Sequence, residues 1–162
     1  MPQMFSQITQ IRKDVFLLKI RLKHGRFVEA AFYIYEMDLN ELTYKIRGVI
    51  FEIHNELGPG LFETVYENAM VYELTAIGLK VESQVGLPAL YKSIEIRLGF
   101  RIDILVDDSI IIEVKSIESL GDIHRKQLLT YLRLSGKKLG ILVNFNVPKL
   151  IDKISLVRII NN

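Results

Sequence analysis

Residues 100–115 read Phe-Arg-Ile-Asp-Ile-Leu-Val-Asp-Asp-Ser-Ile-Ile-Ile-Glu-Val-Lys, and this stretch predicts two β-strands joined by a tight turn. The turn is expected at Asp107-Asp108-Ser109, where residues that favour turns interrupt the apolar pattern. The run that follows, Ile110–Ile112, shows no alternation of polar and apolar residues. Such a strand is typical of the middle of a sheet that is covered on both faces.

Three charged side chains stand out in this predicted hairpin. Asp103 lies in an otherwise apolar strand, and Glu113 and Lys115 share one face of the next strand, because side chains alternate along a strand. Burying such groups is costly unless they pair or bind a ligand. A two-residue turn would leave the two carboxylates on opposite faces. We therefore predict a three-residue turn, or a bulge of equal effect, which places Asp103 opposite Glu113 and Lys115 beside Arg101.

Along the whole sequence, the patterns predict two helices, three strands, a third helix and further strands. Residues 41–56 form an amphipathic pattern, with Asn40 as the expected N-cap and Gly58-Pro59-Gly60 as the end of the helix. The other expected elements are a helix over 61–77, strands over 79–90, 94–106 and 109–115, a helix over 122–134, and strands over 138–145 and 154–160. The order α-α-β-β-β-α-β, with a last edge strand, predicts an α/β domain in which helices flank a mixed β-sheet.

Two carboxylates on one face of a hairpin predict a cation between them. Close carboxylates repel each other and raise one pKa unless a positive charge intervenes. Oxygen ligands suit Mg²⁺ or Mn²⁺, which accept phosphate oxygens and water as further ligands. Lys115 would orient an attacking water and offset the charge that develops on a phosphate.

Asp103 followed by Glu113-Val114-Lys115 resembles the motif of the PD-(D/E)xK nuclease superfamily. Asp103 matches the motif aspartate and Glu113-Val114-Lys115 matches E-x-K, while Ile102 stands where a proline often precedes the aspartate. The resemblance implies a restriction-endonuclease-like core and metal-dependent cleavage of phosphodiester bonds, in DNA ahead of RNA. It also implies that Asp103, Glu113 and the backbone carbonyl of Val114 hold the metal.

A second motif is similar to the signature of the GxxExxY family, which is classed within the same superfamily. Gly60, Glu63 and Tyr66 supply the signature residues, and the similarity covers roughly residues 40–160. It continues through the segments at 72–74, 78–81, 127–132 and 140–145. The resemblance implies that Glu63, on a helix, reaches the metal as an additional carboxylate. Tyr66 lies one helical turn later and is a candidate for substrate contact.

The later helix carries a third candidate element. Gln127 and Tyr131 are four residues apart and therefore share a helix face. They resemble the Q-x-x-x-Y element of RecB-type nucleases, which implies that they line the site and contact nucleic acid. Arg101 is a candidate for phosphate contact. His54 and His124 each precede a matched segment and are weaker candidates for the phosphate or metal site.

The first 36 residues read differently from the rest. They carry six Lys and Arg against three acidic residues, whereas residues 37–162 carry 15 bases against 16 acids, so the basic surplus of the chain lies outside the family resemblance. Apolar spacing over residues 7–35 predicts a helical extension, with residues 37–162 as the nuclease-like domain. The extension is either natural or the product of a start codon upstream of Met37. Residues 27–35 are apolar enough to cover a partner, so a homodimer is an open alternative.

Composition excludes several classes of protein and leaves two alternatives. The chain has no cysteine, so disulfides and thiolate metal sites are excluded. No apolar run is long enough to cross a membrane, and charges interrupt any signal peptide, so we expect a cytoplasmic protein without membrane contact. The main alternative to a nuclease is an inactive nuclease fold that binds nucleic acid or a protein partner. Hydrolysis of a small phosphorylated molecule is a third possibility.

Overall fold

The computed structural model describes residues 13–21, 27–35, 38–92 and 94–161. The chain divides into two compact units, residues 1–42 and 43–162. The first contains the strands β1 (Lys13–Arg21) and β2 (Phe27–Tyr35). The later elements are α1 (Leu39–Leu57), α2 (Glu63–Ala76), β3 (Val81–Tyr91), β4 (Ile94–Val106), β5 (Ile110–Lys115), α3 (Asp122–Ser135), β6 (Leu139–Asn144) and β7 (Leu156–Ile160).

The helical prediction for the first 36 residues is wrong where the structure describes them. β1 and β2 pair in an antiparallel hairpin whose register runs from Lys13 opposite Tyr35 to Arg21 opposite Phe27. Six of the nine residues of β2 are aromatic or β-branched, and such residues fit a pleated strand better than a helix. The remainder of the predicted helix, over residues 7–12 and 22–26, lies outside the described residues.

The second unit is built on a five-stranded mixed sheet with the order β3-β4-β5-β6-β7. Neighbouring strands are antiparallel, except that β5 and β6 are parallel. A parallel pair needs a crossover connection, which α3 provides. The predicted α/β architecture with a mixed sheet is confirmed, and β7 is the edge strand that the sequence indicates.

The central strand β5 is covered on both faces, as predicted from its unbroken apolar run. Ile110, Ile111 and Ile112 are all fully buried. Ile111 belongs to an apolar cluster with Leu128 and Leu132 of α3. Its two neighbours face the other side of the sheet because side chains alternate. Helix α2 contacts β5 and none of its buried residues belongs to the α3 cluster, so it covers that other face.

The helices begin close to the predicted positions. Helix α1 starts at Leu39 rather than after Asn40, because the carbonyl of Asp38 already accepts the first helical hydrogen bond from Leu42 N at 2.9 Å. Asn40 therefore lies in the first turn and is not the N-cap. Within the part of the chain that the structure describes, no helix is long and apolar enough to cross a membrane.

A close approach between α3 and β6 gives a first testable prediction. A Cβ added to Gly140 would lie 2.8 Å from Leu128 Cδ1, inside the packed core. Gly140→Ala is therefore expected to lower the free energy of unfolding by about 1–3 kcal/mol, the usual cost of overpacking. Urea unfolding measures it. Gly48→Ala is the control, because a Cβ there meets no described atom within 4 Å and alanine favours a helix interior. Equal stability of Gly140→Ala and the wild type would contradict the packing.

Candidate active site

The turn between β4 and β5 sets which residues share a face. Val106 pairs with Ile110, so three residues separate the strands and the predicted odd-length turn is confirmed. Asp107 and Asp108 both have left-handed backbone angles, with φ of 47° and 51°, and Ser109 N donates to Val106 O at 2.9 Å. Aspartate is among the few residues other than glycine that adopt this conformation readily.

Asp103 is anchored to the neighbouring strand by its side chain. The regular β4–β5 pairing ends at Ile104 opposite Ile112, one pair before Asp103 and Glu113 would meet. At this point Asp103 Oδ2 accepts a hydrogen bond from the backbone N–H of Val114 at 2.9 Å. The side-chain oxygen satisfies a strand N–H where the backbone pairing stops. This bond fixes the carboxylate of Asp103 at the end of β5.

Glu113 and Lys115 form a buried ion pair on the same strand. Lys115 Nζ lies 2.7 Å from Glu113 Oε1, and the two side chains are 14% and 2% exposed. The second carboxylate oxygen, Glu113 Oε2, is buried and has no hydrogen-bond partner among the described residues. A buried acceptor without a partner is costly, so this atom indicates a missing positively charged or hydrogen-donating ligand.

Burial changes the ionisation of all three groups. Removal from water raises the pKa of Glu113 to about 7, and the negative charge of Asp103 adds to the effect. Burial also raises the pKa of Asp103 to about 6, although the Val114 hydrogen bond and Lys115 oppose the shift. For Lys115, burial alone would lower the pKa, but the hydrogen bond to Glu113 and the nearby carboxylates outweigh it and raise the pKa. Lys115 therefore stays charged.

Glu63 comes to this site from the first turn of α2. Its Oε1 accepts a hydrogen bond from Ser116 N at 3.0 Å, immediately after Lys115. The hydroxyl of Ser116 donates to Leu61 O at 2.5 Å. These two bonds join the start of α2 to the end of β5. The charge of Glu63 contributes to the raised pKa of both Asp103 and Glu113, so the structure brings all three predicted carboxylates together.

Glu67 and Gln84 also lie beside this group, and neither was among the predicted site residues. Glu67 follows Glu63 by one helical turn, and its charge acts on Asp103. Its Oε2 accepts a hydrogen bond from Gln84 Nε2 at 2.6 Å. Gln84 has a left-handed φ of 54° inside β3. The four-residue spacing from Glu63 could have indicated Glu67, whereas nothing in the sequence signals the backbone conformation of Gln84.

Tyr66 is not positioned to contact a substrate, and that prediction is wrong. The side chain is fully buried and stacks on Phe145, with 4.3 Å between ring centroids. Its hydroxyl donates to Gly58 O at 2.7 Å and accepts from Leu61 N at 3.2 Å. Tyr66 therefore braces the loop that leads into Glu63.

Asn144 holds the chain that follows Lys115. It is fully buried at the end of β6 and pairs with Lys115 across the parallel strands. Its amide Nδ2 donates to Ile117 O at 2.8 Å, and its Oδ1 accepts from Ile117 N at 3.1 Å and Asn146 N at 3.2 Å. Asn144 was not among the predicted site residues, because it lies inside the predicted apolar strand over 138–145 and no local pattern marks it.

The predicted pair on α3 is present. Gln127 Nε2 donates to Tyr131 Oη at 2.8 Å, and the ring of Tyr131 packs edge-on against Phe100 at 5.8 Å between centroids. Tyr131 is buried and Gln127 is partly exposed. Arg101 is exposed on β4, where it pairs with Gly86 of β3. Its predicted position beside Lys115 stays a prediction.

The two histidines have structural partners. The ring Nε2 of His54 lies 2.8 Å from Val147 O. His124 Nδ1 accepts from Gly121 N at 2.9 Å and so caps the start of α3. These hydrogen bonds account for the positions of both histidine side chains, so neither position requires a ligand.

The donor set is consistent with a divalent metal that keeps several other ligands. No group of three or more His, Cys, Asp or Glu side chains within the described ranges is arranged as a complete metal site. Mg²⁺ does not require one, since it is often held by one or two carboxylates together with water and phosphate. The buried Glu113 Oε2 without a partner is the atom that such an ion would satisfy.

Comparison with known proteins gives one match. A family model described as the PD-(D/E)XK nuclease superfamily matches residues 40–157. Searches of curated proteins and of solved structures give no match. The matched range begins at the start of α1 and ends within β7, and it includes all the carboxylates described above.

Proposed function

The chain belongs to the PD-(D/E)XK nuclease superfamily, and from this premise we propose that it hydrolyses phosphodiester bonds in nucleic acid with Mg²⁺ or Mn²⁺, in DNA ahead of RNA. The observation that carries the proposal is the group of Asp103, Glu113 and Lys115, in which Glu113 is buried and the other two are half-buried. One carboxylate oxygen of this group, Glu113 Oε2, is buried and has no hydrogen-bond partner in the part of the chain that the structure describes. A fold without a ligand to bind gains nothing from this atom, because it lowers stability.

The metal would be held by Asp103 and Glu113, with Glu63 and the backbone carbonyl of Val114 as further oxygen ligands. When bound, it would supply Lewis-acid chemistry to a phosphate and lower the pKa of a water molecule. Glu63 already accepts a hydrogen bond from Ser116 N, so we expect it to contribute through its charge or through a shared water.

Lys115 would orient the attacking water and offset negative charge on the phosphate. Its ammonium has a fixed position because Glu113 Oε1 holds it at 2.7 Å. A positioned charge in a partly dry site stabilises a developing anion much better than a mobile one in water. The raised pKa of Lys115 keeps it a cation, which suits electrostatic stabilisation rather than proton removal.

Substrate contacts beyond the carboxylates are proposed for Gln127, Tyr131 and Arg101. Gln127 is partly exposed and bonded to Tyr131, so the pair can present an amide to a nucleic-acid strand. Arg101 is exposed on the strand that carries Asp103 and could contact a phosphate. In this proposal Tyr66 has only the supporting role described above.

A second candidate function is an inactive nuclease fold that binds nucleic acid or protein. Residues 37–162 carry 15 bases against 16 acids, whereas surfaces that bind phosphates usually have a basic surplus. Calorimetry separates the two candidates. Binding of Mn²⁺ that is lost in Asp103→Asn would support the enzyme, and no binding at millimolar Mn²⁺ or Mg²⁺ would support the module.

Cleavage assays test the proposed activity directly. Purified protein is expected to cut at least one of single- or double-stranded DNA or RNA when Mg²⁺ or Mn²⁺ is present, and none of them when EDTA is added. Labelled substrates on denaturing gels measure the products. Cleavage that persists undiminished in EDTA would contradict a metal-dependent mechanism.

A further inference from the structure

We propose that Phe62 is a stacking platform for an unpaired nucleobase next to the scissile phosphate, so that the preferred substrate is a single strand or the frayed end of a duplex. This inference rests on the proposed function, since it takes the ligand of the site to be nucleic acid. It adds the substrate class, which neither the motif nor the family match provides.

Phe62 is an apolar side chain held out into solvent at the edge of the site. It is 84% exposed and is the residue directly before Glu63. Leu61 and Val65, its neighbours on the same turn, are also exposed. A single exposed apolar residue needs no explanation, but an adjoining group beside buried carboxylates indicates a surface that binds a ligand.

The backbone that carries Phe62 is fixed on both sides, and on the helix side Phe62 O accepts a hydrogen bond from Val65 N at 3.0 Å. Tyr66 Oη bonds to Gly58 O and Leu61 N, which closes the loop before Phe62. Ser116 Oγ donates to Leu61 O, which ties this loop to the strand end that carries Lys115. The residue is therefore exposed although its backbone is well anchored. Because the backbone is already ordered, stacking of a flat ligand on the ring would cost only the rotational freedom of one side chain.

Charge favours a base as the ligand of this ring. The domain has no basic surplus, so its net charge does not favour binding to phosphates. Stacking on an aromatic ring supplies affinity without positive charge and accepts any base. Bases inside a duplex already stack on each other, so the ring can reach only an unpaired one.

Fluorescence of a tryptophan at position 62 tests the contact independently of cleavage. The chain contains no tryptophan, so Phe62→Trp introduces a single tryptophan, which can be excited selectively at wavelengths that the seven tyrosines do not absorb. The variant is made together with Lys115→Met, which is expected to prevent cleavage while keeping the carboxylates, and is titrated in Mg²⁺ with a 12-nucleotide single strand and with the same sequence as a blunt duplex. We expect the single strand to quench the emission at lower concentration than the duplex. Tyr72→Trp is the matched control, an exposed aromatic position later on the same helix, and should not respond.

Cleavage kinetics provide the second measurement. Phe62→Ala should lower kcat/KM on single strands by about 10- to 100-fold, the range expected when one stacked base is lost, and Phe62→Tyr should restore most of it. Tyr72→Ala should leave it unchanged.

The possible results separate this inference from the proposed function. Quenching by single strands without cleavage of any substrate would support the stacking site and overturn the nuclease proposal. Cleavage by the wild type without any quenching at position 62 would support the nuclease proposal and overturn the stacking site. Equal quenching by strand and duplex would overturn the requirement for an unpaired base. A spectral shift that depends only on protein concentration would assign Phe62 to self-association and overturn the inference.

Discussion

Glu113→Gln is expected to reduce kcat/KM for nucleic-acid cleavage by about 10³-fold or more. The amide has the shape of the carboxylate but lacks its charge, so it binds a divalent cation much more weakly and no longer holds the Lys115 ammonium by charge at 2.7 Å. Lys115→Met should cause a comparable loss, because it removes the cation expected to orient water. Initial rates at several substrate concentrations measure both effects.

A second ion pair in the same chain offers a matched control. Lys80 Nζ lies 2.8 Å from Glu82 Oε1, with the same two-residue spacing, but both side chains are exposed. Glu82→Gln and Lys80→Met therefore make the same chemical changes away from the carboxylate group and should retain full activity. Circular dichroism establishes that each variant is folded. Wild-type rates in both Glu113→Gln and Lys115→Met would refute the mechanism.

In the absence of metal, stability is expected to fall as the pH rises from about 4 to about 7. The folded-state pKa of Glu113 is raised to about 7 and that of Asp103 to about 6, both above the values of an unfolded chain. The native state therefore binds more protons than the unfolded state in this interval, and each step toward higher pH favours unfolding. A pKa shift is equivalent to about 1.4 kcal/mol per unit, so the shift of Glu113 alone corresponds to a loss of about 2–4 kcal/mol in the free energy of unfolding.

Urea unfolding in EDTA between pH 4 and pH 8 measures this loss. Glu113→Gln should be close to the wild type at pH 4 and more stable by about 2–4 kcal/mol at pH 8, because its amide carries no charge to bury. Glu82→Gln should show the same pH dependence of stability as the wild type, since the exposed Lys80–Glu82 ion pair contributes little to the free energy of unfolding. Adding Mn²⁺ should stabilise the wild type at pH 8 and have little effect near pH 4. A pH-independent difference between Glu113→Gln and the wild type would show that the carboxyl is not stabilised in its neutral form.

The sequence was most informative where a local pattern of residues was compatible with only one structure. The apolar run Ile110–Ile112 predicted a doubly covered strand, and all three residues are buried. The separation of Asp103 and Glu113 required an odd-length turn, which the pairing of Val106 with Ile110 confirms. In both cases alternation along a strand allowed only one arrangement that keeps charge together and apolar groups covered.

The sequence was misleading where one pattern fitted two structures. The apolar spacing of residues 7–35 suits a helix, but β1 and β2 show that strand-forming side chains decide the outcome there. Tyr66 illustrates a different limit. A family signature identifies a residue at the site but does not say whether it touches a substrate or, as its bonds to Gly58 and Leu61 show, supports the loop behind it. Asn144 and Gln84 act through long-range contacts that no local pattern encodes.

The three-residue turn between β4 and β5 can change in length without separating the acidic pair. Residues directly opposite each other share a face whatever the length of the loop that joins them, and the pairs from Val106 opposite Ile110 to Ile104 opposite Ile112 set the register here. Deletion of Ser109 would leave a two-residue connection between the same pairs, which is itself a common hairpin turn. A residue inserted within the strand, between Ile110 and Glu113, would instead move Glu113 to the opposite face. Related chains should therefore vary in length at the turn and not inside the two strands.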